Sequence, residues 1–270
     1  MTIRETNYQA RAEYKVDQRL QRERQYFDEL VEATPATRGM LDRFSEAFYE
    51  KGDRGRLWSP FWGTTDLKGR LVLDYGCGKG DFSRILAKRG ACVRGIDISP
   101  KLIEEARSSA ARMEFNGNAP KFLVGDAHHT PFPDALFDNV VGNGALHHLD
   151  LKRALPEIAR VLKPGGKAVF QETMSSHPLL WALRRLTPKA HTTDERPLSW
   201  TDINLAPKEF TACRHRQHFL LAVCAAPAHL LGKRFALSVI GALDRMDQQL
   251  MRLFPYLRRY AWLTVLEFEK

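Results

Sequence analysis

The segment LVLDYGCGKGDF, residues 71–82, joins an apolar run to three glycines spaced two apart. The apolar run 71–75 predicts a strand, and a helix is expected from Asp81. Glycines in such a loop let the main chain approach a ligand closely. The G-x-G-x-G spacing differs from the G-x-G-x-x-G of dinucleotide loops. Asp74, just ahead of the glycines, would repel a pyrophosphate and suits an ammonium group, so the segment favours a ligand with an amino-acid end.

The residues after this segment alternate short apolar runs with helical patterns, which is typical of a βαβ series and a parallel sheet covered by helices on both faces. The predicted strands are 92–98, 121–126, 137–143 and 166–172, and the predicted helices are 81–89, 100–115, 151–162 and one from about 177. A strand near 211–221, a helical stretch to about 253 and a strand at 260–269 fit the far edge of the same sheet. Two helices, 5–32 and about 36–51, are expected ahead of it, and 187–210 is expected to be a long loop of the kind that often forms a lid.

Two more acids end predicted strands. Asp97 lies at the end of the second strand, where an acid accepts hydrogen bonds from ribose hydroxyls. Asp126, next to Ala127, ends the third and could accept from an adenine amino group. Partners for an ammonium, a ribose and an adenine, in this order, describe S-adenosylmethionine (SAM), with S-adenosylhomocysteine (SAH) as product.

At these residues the sequence resembles the class I SAM-dependent methyltransferases, in the small-molecule branch related to the ubiquinone/menaquinone (methyltransferase type 11) enzymes. The resemblance covers about 70–172, through VLDYGCGKG, GIDIS, VGDAHHTPFPDALFD, VVGNGALHHL and ARVLKPGGKAVFQE. It implies a doubly wound, Rossmann-like α/β fold whose seven-stranded sheet ends in an antiparallel strand. It also implies an N-terminal helical cap over 1–65 and a methyltransferase domain over 66–270, with a substrate-cap insertion at about 173–255. The cofactor-binding residues implied are Asp74, Gly76, Cys77, Gly78, Gly80, Asp97, Ile98, Asp126, Ala127, Asn143 and Gly144.

Candidate catalytic residues follow the fourth and fifth strands. His147 and His148 lie where this family places its substrate cavity, and either is a candidate general base or substrate contact; a helix-packing role is the alternative. Glu172 ends the fifth strand and could bind substrate, act as a base or be a solvated strand end. His191, in the expected lid, is a further candidate base. Adjacent histidines point apart, so no metal site is expected.

The substrate is expected to be a medium-sized, partly apolar small molecule, because 1–65 and 173–260 are rich in aromatic and aliphatic residues. Secondary metabolism is the expected setting, and the acceptor atom, O, N or C, stays open. Basic residues leave open an anionic acceptor such as a prenyl diphosphate or a lipid-like compound, although a solvated basic helix face is the more ordinary explanation. These residues are Arg184, Arg185, Lys189 and Arg196.

Composition adds weaker expectations. The 270 residues carry a net charge of +9, which fits ordinary solubility but permits an acidic partner. Four cysteines form no C-x-x-C pair, so neither zinc nor a disulfide framework is suggested. The charged N-terminus lacks the apolar core of a signal peptide, which favours the cytoplasm. The longest apolar run, 219–231, is too short to span a bilayer, and homo-oligomers through the N-terminal helix stay open.

Three other functions compete with the methyltransferase. A non-catalytic cofactor-binding module would bind SAM without turnover. A nicotinamide-dependent oxidoreductase would need the G-x-G-x-x-G spacing that this sequence lacks. An RNA methyltransferase is compatible with the basic charge, but no separate RNA-binding domain is recognisable, and nucleic acid is not an expected partner. GNGALHH stands where nucleobase amino methyltransferases carry a DPPY-like motif.

Overall fold

A computed structural model describes residues 18–32, 66–115, 117–186, 195–204 and 207–270. These residues form a seven-stranded sheet in the order β3-β2-β1-β4-β5-β7-β6. The strands are β1 Leu71–Tyr75, β2 Cys92–Asp97, β3 Lys121–Val124, β4 Phe137–Asn143, β5 Leu162–Thr173, β6 Ala212–His218 and β7 Leu263–Glu269.

The sheet is parallel from β3 to β5, and β7 lies antiparallel between β5 and β6. The α/β fold with an antiparallel last strand, predicted from the sequence, is confirmed. The strand order reverses between β1 and β4, and in such sheets ligands bind at the carboxyl ends of the strands beside this reversal. The glycine loop after β1 therefore lies at the expected binding edge.

Helices cover both faces of the sheet. They are α1 Gln18–Glu32, α2 Asp81–Lys88, α3 Pro100–Ala111, α4 Leu151–Val161, α5 Pro178–Leu186, α6 Trp200–Ile203 and α7 Lys233–Leu253. Short 3₁₀ segments run over Leu146–His148, Ala222–Leu231 and Pro255–Tyr260. Among the described residues, no helix is long and apolar enough to cross a membrane.

The start of α6 departs from the sequence-based expectation. A continuous loop over 187–210 is wrong for Trp200–Ile203, where Ser199 accepts from the Asp202 N–H and Asp202 accepts from the Ser199 N–H. This S-x-x-D capping box was readable in the sequence. The bridge between Met174 and Leu198 ties the segment to the end of β5. The predicted helix at 36–51 and the positions 1–17 and 187–194 lie outside the described residues.

Successive residues of the central strands pack into different cores. Val72 joins the cluster with Leu86 and Ile240, whereas Leu73 joins the cluster with Ile158 and Phe170. Neighbouring side chains of a strand point to opposite faces, so a strand covered on both faces is apolar without alternation. This explains why residues 71–73 form a continuous apolar run.

Gly142 in β4 is expected to be intolerant of a side chain. A Cβ built there would lie 2.5 Å from Phe170 Cδ1 and 3.0 Å from the Tyr75 carbonyl oxygen. Overpacking of this kind costs about 1–3 kcal/mol, so Gly142→Ala should lower the free energy of unfolding in urea by that amount. Phe170→Leu, combined with Gly142→Ala in a double-mutant cycle, should recover part of this loss. Strictly additive losses would contradict the contact with Phe170.

Candidate active site

The glycine loop turns sharply from β1 into α2. Gly76, Gly78 and Gly80 have φ of +71°, +51° and +74°, a backbone region that residues with side chains rarely adopt. A Cβ on Gly76 would also lie 2.7 Å from the Ala145 Cβ, whereas one on Gly78 would meet nothing within 4 Å. The loop is thus packed below Gly76 and open at Gly78, which leaves main chain accessible to a ligand.

Asp97 and Asp74 lie on either side of this loop. Asp97 accepts from the Gly78 N–H at 2.8 Å and from the Ser99 N–H at 3.0 Å, and these bonds orient its carboxylate beside the loop. Burial raises the pKa of Asp97 above its ordinary value, against the opposing effect of the Ser99 and Gly78 N–H groups. Asp74 is buried and accepts from the Ser83 hydroxyl at 2.5 Å.

The two carboxylate oxygens of Asp126 differ in their hydrogen bonds to the described residues. Its Oδ1 pairs with both the backbone N–H and the Nδ1 of His128, each at 2.8 Å. Burial alone would raise the pKa of Asp126, but the bonds from His128 outweigh it and hold the pKa below its ordinary value. Among the described residues, its Oδ2 is buried and has no hydrogen-bond partner. Buried carboxylate oxygens are normally paired, so this atom points to a missing donor.

Asn143 carries a second such atom at the end of β4, because its Oδ1 is buried and finds no partner in the part of the chain that the structure describes. Gly144, next in the chain, has a φ of +71° and donates its N–H to the Gln171 carbonyl at 2.8 Å. Ile98 is partly buried, directly after β2. The carbonyl of Ala127 accepts from the Tyr75 hydroxyl. The Tyr75 hydroxyl thus fixes the main chain after β3.

Cys77 differs from the other predicted cofactor residues. Its side chain lies in the apolar cluster with Ile103 and Phe122, and burial raises the pKa of the thiol. Its sulfur would lie 2.8 Å from a Cβ placed on Gly95. Only the backbone of Cys77 is therefore suited to face a ligand in the loop.

The two histidines after β4 point to different partners. His147 is buried, and its Nδ1 lies 2.6 Å from Glu172 Oε2. Glu172 also accepts from the N–H groups of Ala145, Leu146 and His147 at 3.0, 2.8 and 3.3 Å. Since a carboxylate only accepts, this bond places the neutral imidazole proton on Nδ1 and leaves the lone pair on Nε2.

The electrostatic surroundings of His147 favour its protonated form. Burial alone would lower its pKa, but the hydrogen bond and charge of Glu172, with the charge of Glu195, outweigh burial and raise the pKa. Glu195 Oε1 lies 3.9 Å from His147 Nε2 and 2.7 Å from Arg184 Nη1. Glu172, His147, Glu195 and Arg184 thus form one chain of charged groups at the edge of the cleft.

His148 faces α1 instead. Its Nδ1 lies 3.1 Å from Glu23 Oε2, its ring packs edge-on to Phe27 with centroids 5.2 Å apart, and its carbonyl accepts from Arg19 at 3.0 Å. No local pattern identifies Glu23 or Arg19 as partners of this turn, because the contact joins residues more than a hundred positions apart. His148 therefore fastens the N-terminal helix to the turn that carries His147.

The remaining predicted site residues are Glu172, His191 and the basic residues of the expected anionic site. Glu172 is 1% exposed and caps the turn after β4, so it is not a solvated strand end. His191 lies outside the described residues. Arg184 and Arg196 pair with Glu195 and Asp202, each at 2.7 Å, which weakens the case for an anionic acceptor at these two cations.

The sheet order, the glycine loop and the acids at the ends of β1, β2 and β3 resemble the cofactor site of a class I methyltransferase. A family model described as a methyltransferase domain matches residues 73–170. The chain is 32% identical over 219 residues to malonyl-[acyl-carrier protein] O-methyltransferase of Pectobacterium atrosepticum, over 79% of this chain and 78% of that protein. It is 41% identical over 113 residues to O-methyltransferase cnsE of Penicillium expansum, which is 41% of each chain.

A solved structure shares the fold. Magnesium protoporphyrin IX methyltransferase from Synechocystis PCC 6803, with bound SAH, superposes with a TM-score of 0.60 at 17% identity, over 93% of this chain and 99% of that one. The chain belongs to the class I SAM-dependent methyltransferases, in the branch that resembles the quinone methyltransferases. It is an enzyme that uses SAM to methylate a small molecule.

Proposed function

We propose that this enzyme methylates a hydroxyl oxygen of a medium-sized, partly apolar acceptor, with His147 as general base and Glu172 as the residue that positions it. The observation that carries this proposal is the buried pair of His147 Nδ1 and Glu172 Oε2, 2.6 Å apart. A hydroxyl keeps its proton near neutral pH and gains from a base, whereas an uncharged amine nitrogen already offers a lone pair. Both curated relatives described above are named O-methyltransferases, which supports the choice of oxygen.

The cofactor is assigned to the loop and its neighbouring acids. Asp74 and the main chain of 76–80 would hold its methionine end, with Asn143 and Gly144 beside them. Asp97 and Ile98 would meet the ribose, and Asp126 with Ala127 the adenine. The partnerless Asp126 Oδ2 and Asn143 Oδ1 support this fit. When bound, SAM supplies an electrophilic methyl group on a sulfonium.

His147 takes the proton of the acceptor. Its Nε2 carries the lone pair because Nδ1 is held by Glu172. When the acceptor hydroxyl is methylated, its proton would pass to Nε2, and the carboxylate of Glu172 would stabilise the imidazolium that results. Glu172 itself stays fixed, since three backbone N–H groups hold it in place. His148 and His191 are left as weaker alternatives for the base.

The acceptor is assigned to the space beside α5. An open pocket of about 270 Å³ is lined by Ser175, Trp181, Arg184, Arg185 and Pro197. Arg184 links this pocket through Glu195 to His147. The indole of Trp181, with the Arg185 guanidinium 3.9 Å from its ring centroid, offers a flat wall for an apolar or aromatic acceptor. The proposal also includes a role in secondary metabolite biosynthesis and a cytoplasmic location. It further divides the chain into a cap over 1–65 and a catalytic domain.

Replacing Glu172 by Gln tests the proposed pair through its pH dependence. His147 acts when neutral, so the rate rises as pH passes upward through its pKa, which Glu172 holds above the ordinary value of about 6.5. Without the carboxylate this pKa falls. The acidic limb of the pH profile of kcat/KM should therefore move to lower pH. The measurement is the rate of SAH release across a panel of hydroxylated apolar compounds.

The plateau rate should fall in the same variant, because the imidazolium loses its stabilising charge. Glu195→Gln is the matched control, since Glu195 lies at 3.9 Å rather than 2.6 Å and should move the limb less. An acidic limb that stays in place in Glu172→Gln would remove His147 as the base.

A further inference from the structure

Exposed apolar side chains are concentrated in one part of the molecule. Eleven of the twelve large hydrophobic side chains exposed among the described residues follow residue 178. Eight of them belong to residues 219–260, here called the C-terminal excursion, which joins β6 to β7. These eight are Leu221, Leu231, Phe235, Met246, Leu253, Phe254, Tyr256 and Tyr260. Four of the eight lie within residues 253–260, and exposed apolar side chains that lie together mark an interaction surface rather than ordinary scatter.

The same excursion exposes positive charge only. Its two acids, Asp244 and Asp247, are 5% and 0% exposed. Asp247 accepts from the N–H groups of residues 220–222, and Asp244 lies 3.6 Å from His218. The arginines of the excursion are all exposed: Arg234, Arg245, Arg252, Arg258 and Arg259. A partner for this surface must therefore combine an apolar phase with negative charge.

The densest part of the surface is the segment 252–260, RLFPYLRRY. Eight of its nine residues are exposed, with Leu253 73% and Tyr256 64% accessible. Arg252 precedes the apolar and aromatic residues 253–257, and Arg258 and Arg259 follow them. When long basic side chains lie beside aromatic rings at a membrane surface, the rings lie at the level of the lipid headgroups and the cations reach the phosphates.

The excursion leaves and rejoins the sheet at the binding edge. Leu263, the first residue of β7, pairs with His218 at the end of β6 and with Thr173 at the end of β5. The carboxyl ends of the parallel strands, with the glycine loop and His147, lie along this same edge. The two ends of the excursion, and with them segment 252–260, therefore lie near the edge of the sheet that carries the active site.

We propose that the C-terminal excursion docks the enzyme on an anionic lipid surface, with segment 252–260 at its centre. A second copy of this chain fits less well, because a two-fold contact sets each patch against its own kind and would bring arginines together with no exposed acid to offset them. An anionic bilayer meets both requirements, since it supplies phosphates for the arginines and an apolar layer for Leu253 and Tyr256. The inference does not rest on the proposed reaction, because docking needs no turnover.

Sedimentation of the full chain with vesicles tests this proposal. We expect binding to vesicles of phosphatidylcholine mixed with phosphatidylglycerol, and much weaker binding to phosphatidylcholine alone. Arg252→Gln with Arg259→Gln should weaken binding to the anionic vesicles at least about tenfold, because each basic residue near such a surface contributes severalfold. Leu253→Ser with Tyr256→Ser should weaken it to a similar extent through lost apolar burial.

The matched control is Lys88→Gln with Lys121→Gln. It removes the same charge from exposed positions at the opposite, amino edge of the sheet, and should leave vesicle binding unchanged. An equal loss in this control would mean that net charge alone acts and would overturn the proposal, as would an absence of vesicle binding. A dimer in sedimentation velocity that Leu253→Ser with Tyr256→Ser abolishes would assign the surface to a second copy instead. Unchanged SAM affinity in calorimetry separates all these outcomes from a failure of the fold or of the proposed reaction.

Discussion

His147→Ala is expected to lower turnover by about 10²–10⁴-fold, the usual contribution of a general base. Its affinity for SAM should change little, because its Nδ1 bonds to Glu172 and its Nε2 approaches Glu195, and neither carboxylate is assigned to the cofactor. The measurement is the rate of SAH release at saturating SAM, with calorimetric SAM affinity recorded on the same preparation.

His148→Ala is the matched comparison, because it removes the same side chain from the next position. His148 contacts Glu23 and Phe27 of α1, so its loss should loosen the N-terminal helix and reduce the rate far less. Full turnover in His147→Ala, or a rate loss confined to His148→Ala, would move the base away from His147.

Asp97→Ala is expected to weaken SAM binding at least about tenfold, since a charged acceptor of hydrogen bonds contributes about 1.5–3 kcal/mol. The carboxylate also orders the loop by accepting from Gly78 and Ser99, so the loss should exceed that of one ribose contact. Calorimetry with SAM gives the affinity directly.

Asp81→Ala is its control, because Asp81 is an exposed acid only one residue beyond the glycine loop and pairs with Arg84. It should bind SAM with nearly unchanged affinity. Equal affinities of Asp97→Ala and the unsubstituted enzyme would remove Asp97 from the ribose site.

The central strands were predictable because local signals decide them. Residues 71–73 are apolar on both faces, and the strand runs to Tyr75, directly before glycines that adopt positive φ, so both the strand and its end are visible in the sequence. Ser99 followed by Pro100 likewise marks the start of α3, where the serine accepts from the Leu102 N–H. The short helix α6 was missed within the expected loop, although its capping box is local.

The site was predictable only in part, because its decisive contacts are distant in sequence. The pair HH at 147–148 offers no local reason to prefer either residue. The choice depends on Glu172, 25 residues further on, and on Glu23, far upstream. The burial of Asp244 and Asp247 similarly leaves an excursion with only basic exposed charge, which the sequence of α7 does not reveal.

Thermal unfolding of the enzyme with SAM, SAH and NAD at equal concentrations tests most directly whether the glycine loop and its neighbouring acids bind SAM. A ligand that binds only the native state raises the midpoint by mass action. The open loop at Gly78, the carboxylate of Asp97 and the partnerless Oδ2 of Asp126 predict a rise with SAM and SAH, none with NAD, and a smaller rise in Asp97→Ala. Stabilisation by NAD, or none by SAM and SAH, would contradict the assignment of this loop and these acids to SAM.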